Sequence, residues 1–209
     1  MPFDLWLTFA AASMALLLIP GPTVLLVLSY VLSKGRSVAV ASAVGVALGD
    51  LVAMTASLLG LGALVLASAT AFTVLKCAGA VYLVYLGIKL IRSAPSSGLD
   101  LPDAHKITAT RVVGHTAAVT ALNPKSIAFF IAFVPQFIRP EAALLPQFTL
   151  LIATFVTLAA LNALAYALLA DRLRRVITRP GIITGITRAG GGALVAMGIL
   201  TATLRRGTA

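Results

Sequence analysis

Apolar residues run along this 209-residue chain in six blocks, at about 4–30, 38–66, 70–92, 112–138, 144–170 and 182–204. An α-helix needs roughly 20 predominantly apolar residues to cross the hydrocarbon core of a bilayer. The pattern therefore predicts an all-α polytopic membrane protein with six transmembrane helices and little chain left for a soluble domain.

Two of the six blocks are interrupted. Ile19-Pro20-Gly21-Pro22-Thr23 lies inside the first, and Leu122-Asn123-Pro124-Lys125-Ser126 inside the fourth. No charged residue stands between Asp4 and Lys34, which puts the first break at membrane depth. A broken helix there exposes backbone N–H and C=O groups that hydrocarbon cannot satisfy. Such breaks persist only where they are buried in protein or line a wet cavity. Helices 1 and 4 are thus predicted to be broken, and matching broken helices point to a transporter's binding site.

The longest polar stretch, Arg92 to Arg111, contains Ser93-Ala94-Pro95-Ser96-Ser97-Gly98 and then Asp100, Asp103, His105 and Lys106. It reads as a flexible linker. The predicted organisation is a three-helix repeat over 1–93, a cytoplasmic linker over 94–110 and a second three-helix repeat over 111–209. Offset by 111 residues, Gly79, Leu83, Val84, Gly87 and Ile88 fall on Gly190, Leu194, Val195, Gly198 and Ile199. Pro20 and Pro124 lie at similar depths, and Asp50 corresponds roughly to Asn162. An odd number of spans per half places the halves in opposite orientations, as an inverted repeat.

Composition agrees with the pattern. The chain is 60% hydrophobic and 11% charged, with a mean hydropathy of +1.04, where a soluble domain is about half apolar and a quarter charged. The net charge of +10 does not imply nucleic acid, because the basic residues are scattered at helix ends. Lys34, Arg36, Lys89, Arg92, Lys106, Arg111, Arg172, Arg174, Arg175 and Arg179 gather on one side, against Arg139, Arg205 and Arg206 on the other. The positive-inside rule then puts both termini outside the cytoplasm. The N-terminus lacks a basic region, so the first block reads as a retained span. Cys77 is the only cysteine, which excludes an intramolecular disulfide or a dithiol relay. His105 and His115 make no metal-ligand cluster, and no catalytic dyad or phosphate-binding loop is present, so neither an enzyme nor a cofactor is expected.

Asp50 is the sharpest candidate for chemistry. Thirteen uncharged residues precede it and twenty-five follow, which places it roughly 20 Å into its helix at ~1.5 Å per residue. A carboxylate near the bilayer centre costs at least ~2.5–3.5 kcal/mol and is a functional-site hypothesis by default. Burial favours a neutral carboxyl and a nearby cation a charged one, so such a group can bind a substrate ammonium, carry a coupling proton, or alternate between them. The structural alternative is an Asp paired with a buried Lys or capping a broken helix. Lys125 is the natural counterpart, able to bind a carboxylate or to pair with Asp50, the alternative being that it snorkels to the interface. At Pro20, Gly21 and Pro22 a restarted half-helix would aim N–H dipoles at an anion. Asn123 and Pro124 suit a second restart.

Gly45, Gly49, Gly79, Gly87, Gly190 and Gly198 are expected at helix contacts, as is the Gly181–Gly185 pair, because close backbone approach supplies much of helix association in lipid. Lys76 and Arg188 read as interfacial anchors or, alternatively, as gates. Trp6, Tyr82, Tyr85, Phe129, Phe130 and Phe133 read as packing or interface aromatics.

These residues together resemble the lysine/threonine exporter (LysE–RhtB) superfamily over nearly the whole chain. The resemblance is carried in order by Pro20-Gly21-Pro22, the Ser29–Gly35 turn, Gly45-x3-Gly49-Asp50, Leu75-Lys76-x2-Gly79-Ala80-x-Tyr82-Leu83-x-Tyr85-Leu86-Gly87, Asn123-Pro124-Lys125 and Phe133-x-Pro135-Gln136-Phe137. It implies a bacterial inner-membrane exporter of amino acids or close derivatives, driven by the proton gradient and forming a homo-oligomer. Family members handle basic, small neutral and branched amino acids, homoserine and its lactone, and the short length and the Gly-Asp version of helix 2 look more like the threonine/homoserine branch than the lysine branch. An exporter of another solute or ion, or an embedded enzyme or redox carrier on a similar fold, are the competing expectations.

Overall fold

A computed structural model describes residues 1–67, 69–92, 107–139, 141–170 and 180–203. Most of the expected linker (94–106) lies outside these residues, as do Lys106, Arg172, Arg174, Arg175, Arg179, Arg205, Arg206 and His105. Among the described residues all regular structure is helical.

The first block forms two helices, α1 (Phe3–Leu18) and α2 (Pro22–Lys34), bent by 54°. A residue before proline is pushed out of the helical region into extended backbone. Ile19 (φ −79°, ψ 112°) and Gly21 (φ −122°, ψ −169°), each followed by a proline, are both extended. Pro22 then restarts the chain at the first helical position, where its missing N–H costs nothing. Gly35, at φ 80°, ends α2 in a conformation that only glycine takes easily, and a 3-10 turn (Arg36–Val38) leads into α3 (Ala39–Ala67). α4 (Ala69–Arg92) completes the first half.

The second half repeats the device. α5 (Ala109–Ala121) begins at Thr108, whose side chain accepts from Arg111 N, and is bent by 46° relative to the segment starting at α6 (Pro124–Ala132). Asn123 is extended before Pro124, and its side chain caps α6 by accepting from Lys125 N at 3.0 Å. A 3-10 turn (Val134–Phe137) leads on to α7 (Leu144–Leu168) and α8 (Pro180–Thr203). The segment Arg36–Ala63 and α7 are each long and apolar enough to cross a membrane, and the two bent pairs bring the number to four. Two to four of the six expected spans are therefore seen; within α4 the apolar stretch is the shorter Cys77–Lys89.

α3 runs through the middle of the bundle, packed along α5 and α7, while α4 and α8 pair with each other. Glycines make these approaches possible. A Cβ at Gly45 would lie 2.7 Å from Val113 O, and one at Gly49 2.5 Å from Ala117 O. Gly79 faces Ala132, and Gly190 faces Ile19 inside the first break. Gly87 meets Gly191 and Val195, whereas Gly198 meets Ala80 and Val84. The second triple is the first displaced by 111 residues, with the halves exchanged. Gly185 meets nothing within 4 Å, so the packing expected there is not seen.

Phe9, Phe129, Phe130, Phe133, Phe137 and Phe155 interlock beyond the breaks, with centroids such as Phe130–Phe155 4.8 Å apart and near perpendicular. They are core packing, as expected. Tyr82 and Tyr85 are exposed, and Trp6 donates to Thr154 Oγ1 at 2.9 Å.

Candidate functional site

The last turn of any helix leaves carbonyls without intrahelical partners, and α1 ends at the first break, with Leu16 buried and Leu18 exposed. Its final carbonyls are taken, one by one, by side chains of the second half. Lys125 Nζ donates to Leu16 O at 3.1 Å and to Ile19 O at 2.8 Å. Asn162 Nδ2 donates to Leu17 O at 3.0 Å, and the Tyr166 hydroxyl to Leu18 O at 2.9 Å. A cation at a helix C-terminus also meets the negative end of the dipole. The first break is thereby held from the start of α6 and from α7.

The second break is held in return from the first half. Thr23, in the first turn of α2, accepts from Asn123 Nδ2 at 3.1 Å and from the Thr120 hydroxyl at 3.3 Å. The Asn123 side chain thus joins the N-termini of α2 and α6. The stem of Lys125 passes alongside Gly21, with Cδ, Cε and Nζ 3.4–3.7 Å from where a Cβ would stand.

Between these elements lies a cavity of ≈ 30 Å³ lined by residues of both breaks, by Val46 and Asp50 of α3, and by Ala159, Asn162 and Ala163 of α7. Asp50 is 2% exposed and its Oδ1 has no hydrogen-bond partner. Lys125, 8% exposed, lines the same cavity, but no direct ion pair joins it to Asp50. The pairing entertained from sequence is therefore not made as a direct contact; the ammonium donates instead to two carbonyls at the end of α1. Snorkelling is excluded too, since Lys125 turns inward. The volume suits a water, which needs about 10–15 Å³ of such space, and is far below the ~300 Å³ at which ligand pockets begin.

Of the sequence candidates, Gly21, Asp50, Asn123 and Lys125 meet around this cavity, with Pro20, Pro22 and Pro124 setting the breaks that open it. Gly45, Gly49, Gly79, Gly87, Gly190 and Gly198 lie at helix contacts. Arg188 is exposed and does not reach Asp50, and the Lys76 side chain lies outside the described residues. Sequence reasoning did not select Asn162, Tyr166, Thr23, Thr120 or Ser126 for the site. Asn162 carried a usable signal, as the counterpart of Asp50, and Tyr166 stands one turn beyond it on the same face.

A family model described as LysE type translocator matches residues 14–204. The chain is 33% identical over 209 residues to a homoserine/homoserine lactone efflux protein of Salmonella typhimurium, covering 98% of this chain and 99% of the relative. It is 34% identical over 206 residues to a Vibrio cholerae membrane protein (98% and 100% covered). A leucine efflux protein of Klebsiella pneumoniae is 29% identical over 137 residues, covering 66% of this chain and 65% of the relative. No solved structure matches the chain.

Proposed function

The chain belongs to the LysE type translocator family, and we propose that it is a secondary transporter exporting amino acids or close derivatives from the bacterial cytoplasm by proton antiport. The observation that carries this reading is the small cavity between two facing helix breaks, with a buried carboxyl and a buried ammonium on its wall. An amino acid brings the complementary pair of charges. The relatives named for homoserine, its lactone and leucine efflux support that substrate class.

The reading includes six membrane spans arranged as two inverted three-helix repeats in the inner membrane, with both termini outside. The reciprocal contacts of Gly87 and Gly198 support it, because a two-fold relation makes residue i of one half meet j of the other while j's counterpart meets i's. Each break being held by the opposite half is a second support. Asp50 acts as the proton-coupling group: neutral it donates a hydrogen bond, ionised it only accepts, so its occupancy by a proton or by a substrate ammonium is exclusive.

Reconstituted vesicles test the reading. An imposed pH gradient should drive uptake of labelled homoserine or leucine, and Asp50→Asn should abolish it. Gradient-driven transport persisting in that variant would remove Asp50 from the coupling.

A further inference from the structure

We propose that the carbonyl end of α1 is an ammonium subsite, filled by Lys125 in the closed protein and vacated when the primary ammonium of a substrate displaces it. The proposal rests on the amino-acid reading above for the identity of its ligand, but its geometry stands apart from that reading.

The ammonium of Lys125 sits as a tethered ligand would. Its two partners are main-chain carbonyls of another helix, Leu16 O and Ile19 O, and no acidic side chain fixes it there. A primary ammonium has three N–H donors, so a third remains for the cavity. Asp50 Oδ1, buried and unpartnered on the same cavity wall, is an acceptor without a donor. A cation site and an unanswered carboxylate oxygen thus border one space of ≈ 30 Å³. That space is too small for an amino acid while Lys125 is in place. Withdrawal of the lysine stem from over Gly21 enlarges it at the point where the ammonium binds. Lys125 then has the incoming carboxylate as its partner, and Asp50 stays available to the incoming ammonium.

The rest of the substrate has a place as well. α2 begins on the far side of the break, and its first intrahelical bond there is Leu25 N to Gly21 O. The N–H groups of Thr23 and Val24 are left over, at the positive end of the helix dipole, and both residues line the cavity. The ligand class is therefore a small molecule with a free primary ammonium, whose carboxylate, where it carries one, faces these N–H groups. An N-acylated analogue keeps a single N–H and no charge, and a quaternary one has charge but no N–H, so neither can serve both carbonyls as a cation.

The experiment is chemical complementation in detergent. Lys125→Ala vacates the subsite, and ethylammonium should raise its Tm by several degrees while leaving wild type unmoved, because a ligand stabilises only the state that binds it. Tetramethylammonium, which has charge but no N–H, and sodium or potassium chloride are the other arms. Equal stabilisation by any of these would replace the ammonium subsite with a general cation site and overturn the proposal. So would an ethylammonium effect no larger than in wild type. Lys125→Ala leaves Asp50 as a lone buried charge, so Asp50→Asn/Lys125→Ala is read in parallel and should show the same complementation. Failure of both variants to fold even in ethylammonium overturns the proposal too. Absence of any amino-acid transport by the wild type would sink the functional reading while leaving a positive complementation result in force.

Discussion

Lys125 Nζ donates to Ile19 O at 2.8 Å, so the first turn of one broken helix closes the last turn of the other. Charge-assisted hydrogen bonds of this kind contribute ~1.5–3 kcal/mol, and a buried acceptor left alone costs about as much. Lys125→Met keeps most of the stem and removes the donor. It should lower Tm well below that of a surface lysine substitution and stop transport. Transport at wild-type rate in a folded Lys125→Met protein would show that the ammonium has only a packing role.

The two other side chains on the end of α1 should rank in a definite order. Asn162 is 8% exposed, and its replacement by alanine removes buried side-chain volume as well as the donor, whereas Tyr166 is only half-buried and phenylalanine keeps its ring. Asn162→Ala is expected to cost ~1–3 kcal/mol, the price of an unsatisfied buried group, and Tyr166→Phe clearly less. Thermal unfolding of the two variants side by side checks the order. The reverse ranking would mean that Leu17 O finds another donor.

Both breaks were legible in the sequence for a local reason: proline fixes its own φ and drives the preceding residue extended, and Ile19, Gly21 and Asn123 obey. Asp50 was legible because a charge with no charged neighbour for many residues cannot lie at a surface of this bundle. The direction of Lys125 was not, since a four-carbon stem reaches either the interface or the interior. Contacts distant in the chain decided it: the carbonyls of Leu16 and Ile19, more than 100 residues away, receive the ammonium. Asn162 and Tyr166 were illegible as a pair for the same reason, because their partners lie 145 and 148 residues away.

The α3–α5 contact is tight enough to separate glycines that a sequence pattern treats alike. A Cβ on Gly49 would stand 2.5 Å from Ala117 O and 2.6 Å from Thr120 Cβ, whereas one on Gly60 of the same helix meets nothing within 4 Å. Overpacking typically costs ~1–3 kcal/mol, while Ala in an open helical position gains ~0.5–1 kcal/mol over Gly. Gly49→Ala should therefore lower Tm and Gly60→Ala hold or raise it. Equal behaviour of the two would mean that α3 and α5 are separated more widely than described.

The reciprocal contacts of Gly87 and Gly198 make a prediction about coupling. Each lets α4 and α8 approach, at Gly191 and Val195 in one case and at Ala80 and Val84 in the other. Gly87→Leu and Gly198→Leu should destabilise by similar amounts, since the surroundings are related by exchange of the halves. The double variant should cost less than the two effects added, because helices already forced apart have little contact left to lose. Strict additivity in a double-mutant cycle would show the two contacts to be independent.

A cavity of ≈ 30 Å³ cannot admit a substrate without rearrangement, so the described conformation is closed, and this has a direct chemical test. Ser126 lines the cavity and is 5% exposed, whereas Ser37 lies exposed after α2. With Cys77 replaced by serine, a cysteine at each position should react with 2-aminoethyl methanethiosulfonate at very different rates. Ser37→Cys should label at once and Ser126→Cys only as fast as the breaks open. A transported amino acid, by increasing the traffic between closed and open states, should accelerate labelling of Ser126→Cys and leave Ser37→Cys unaffected. Immediate labelling of Ser126→Cys without substrate would mean that the protein rests open to water. In that case the hold of Lys125 on α1 would be too weak to keep the site shut, and closure would have to come from the phenylalanines beyond it.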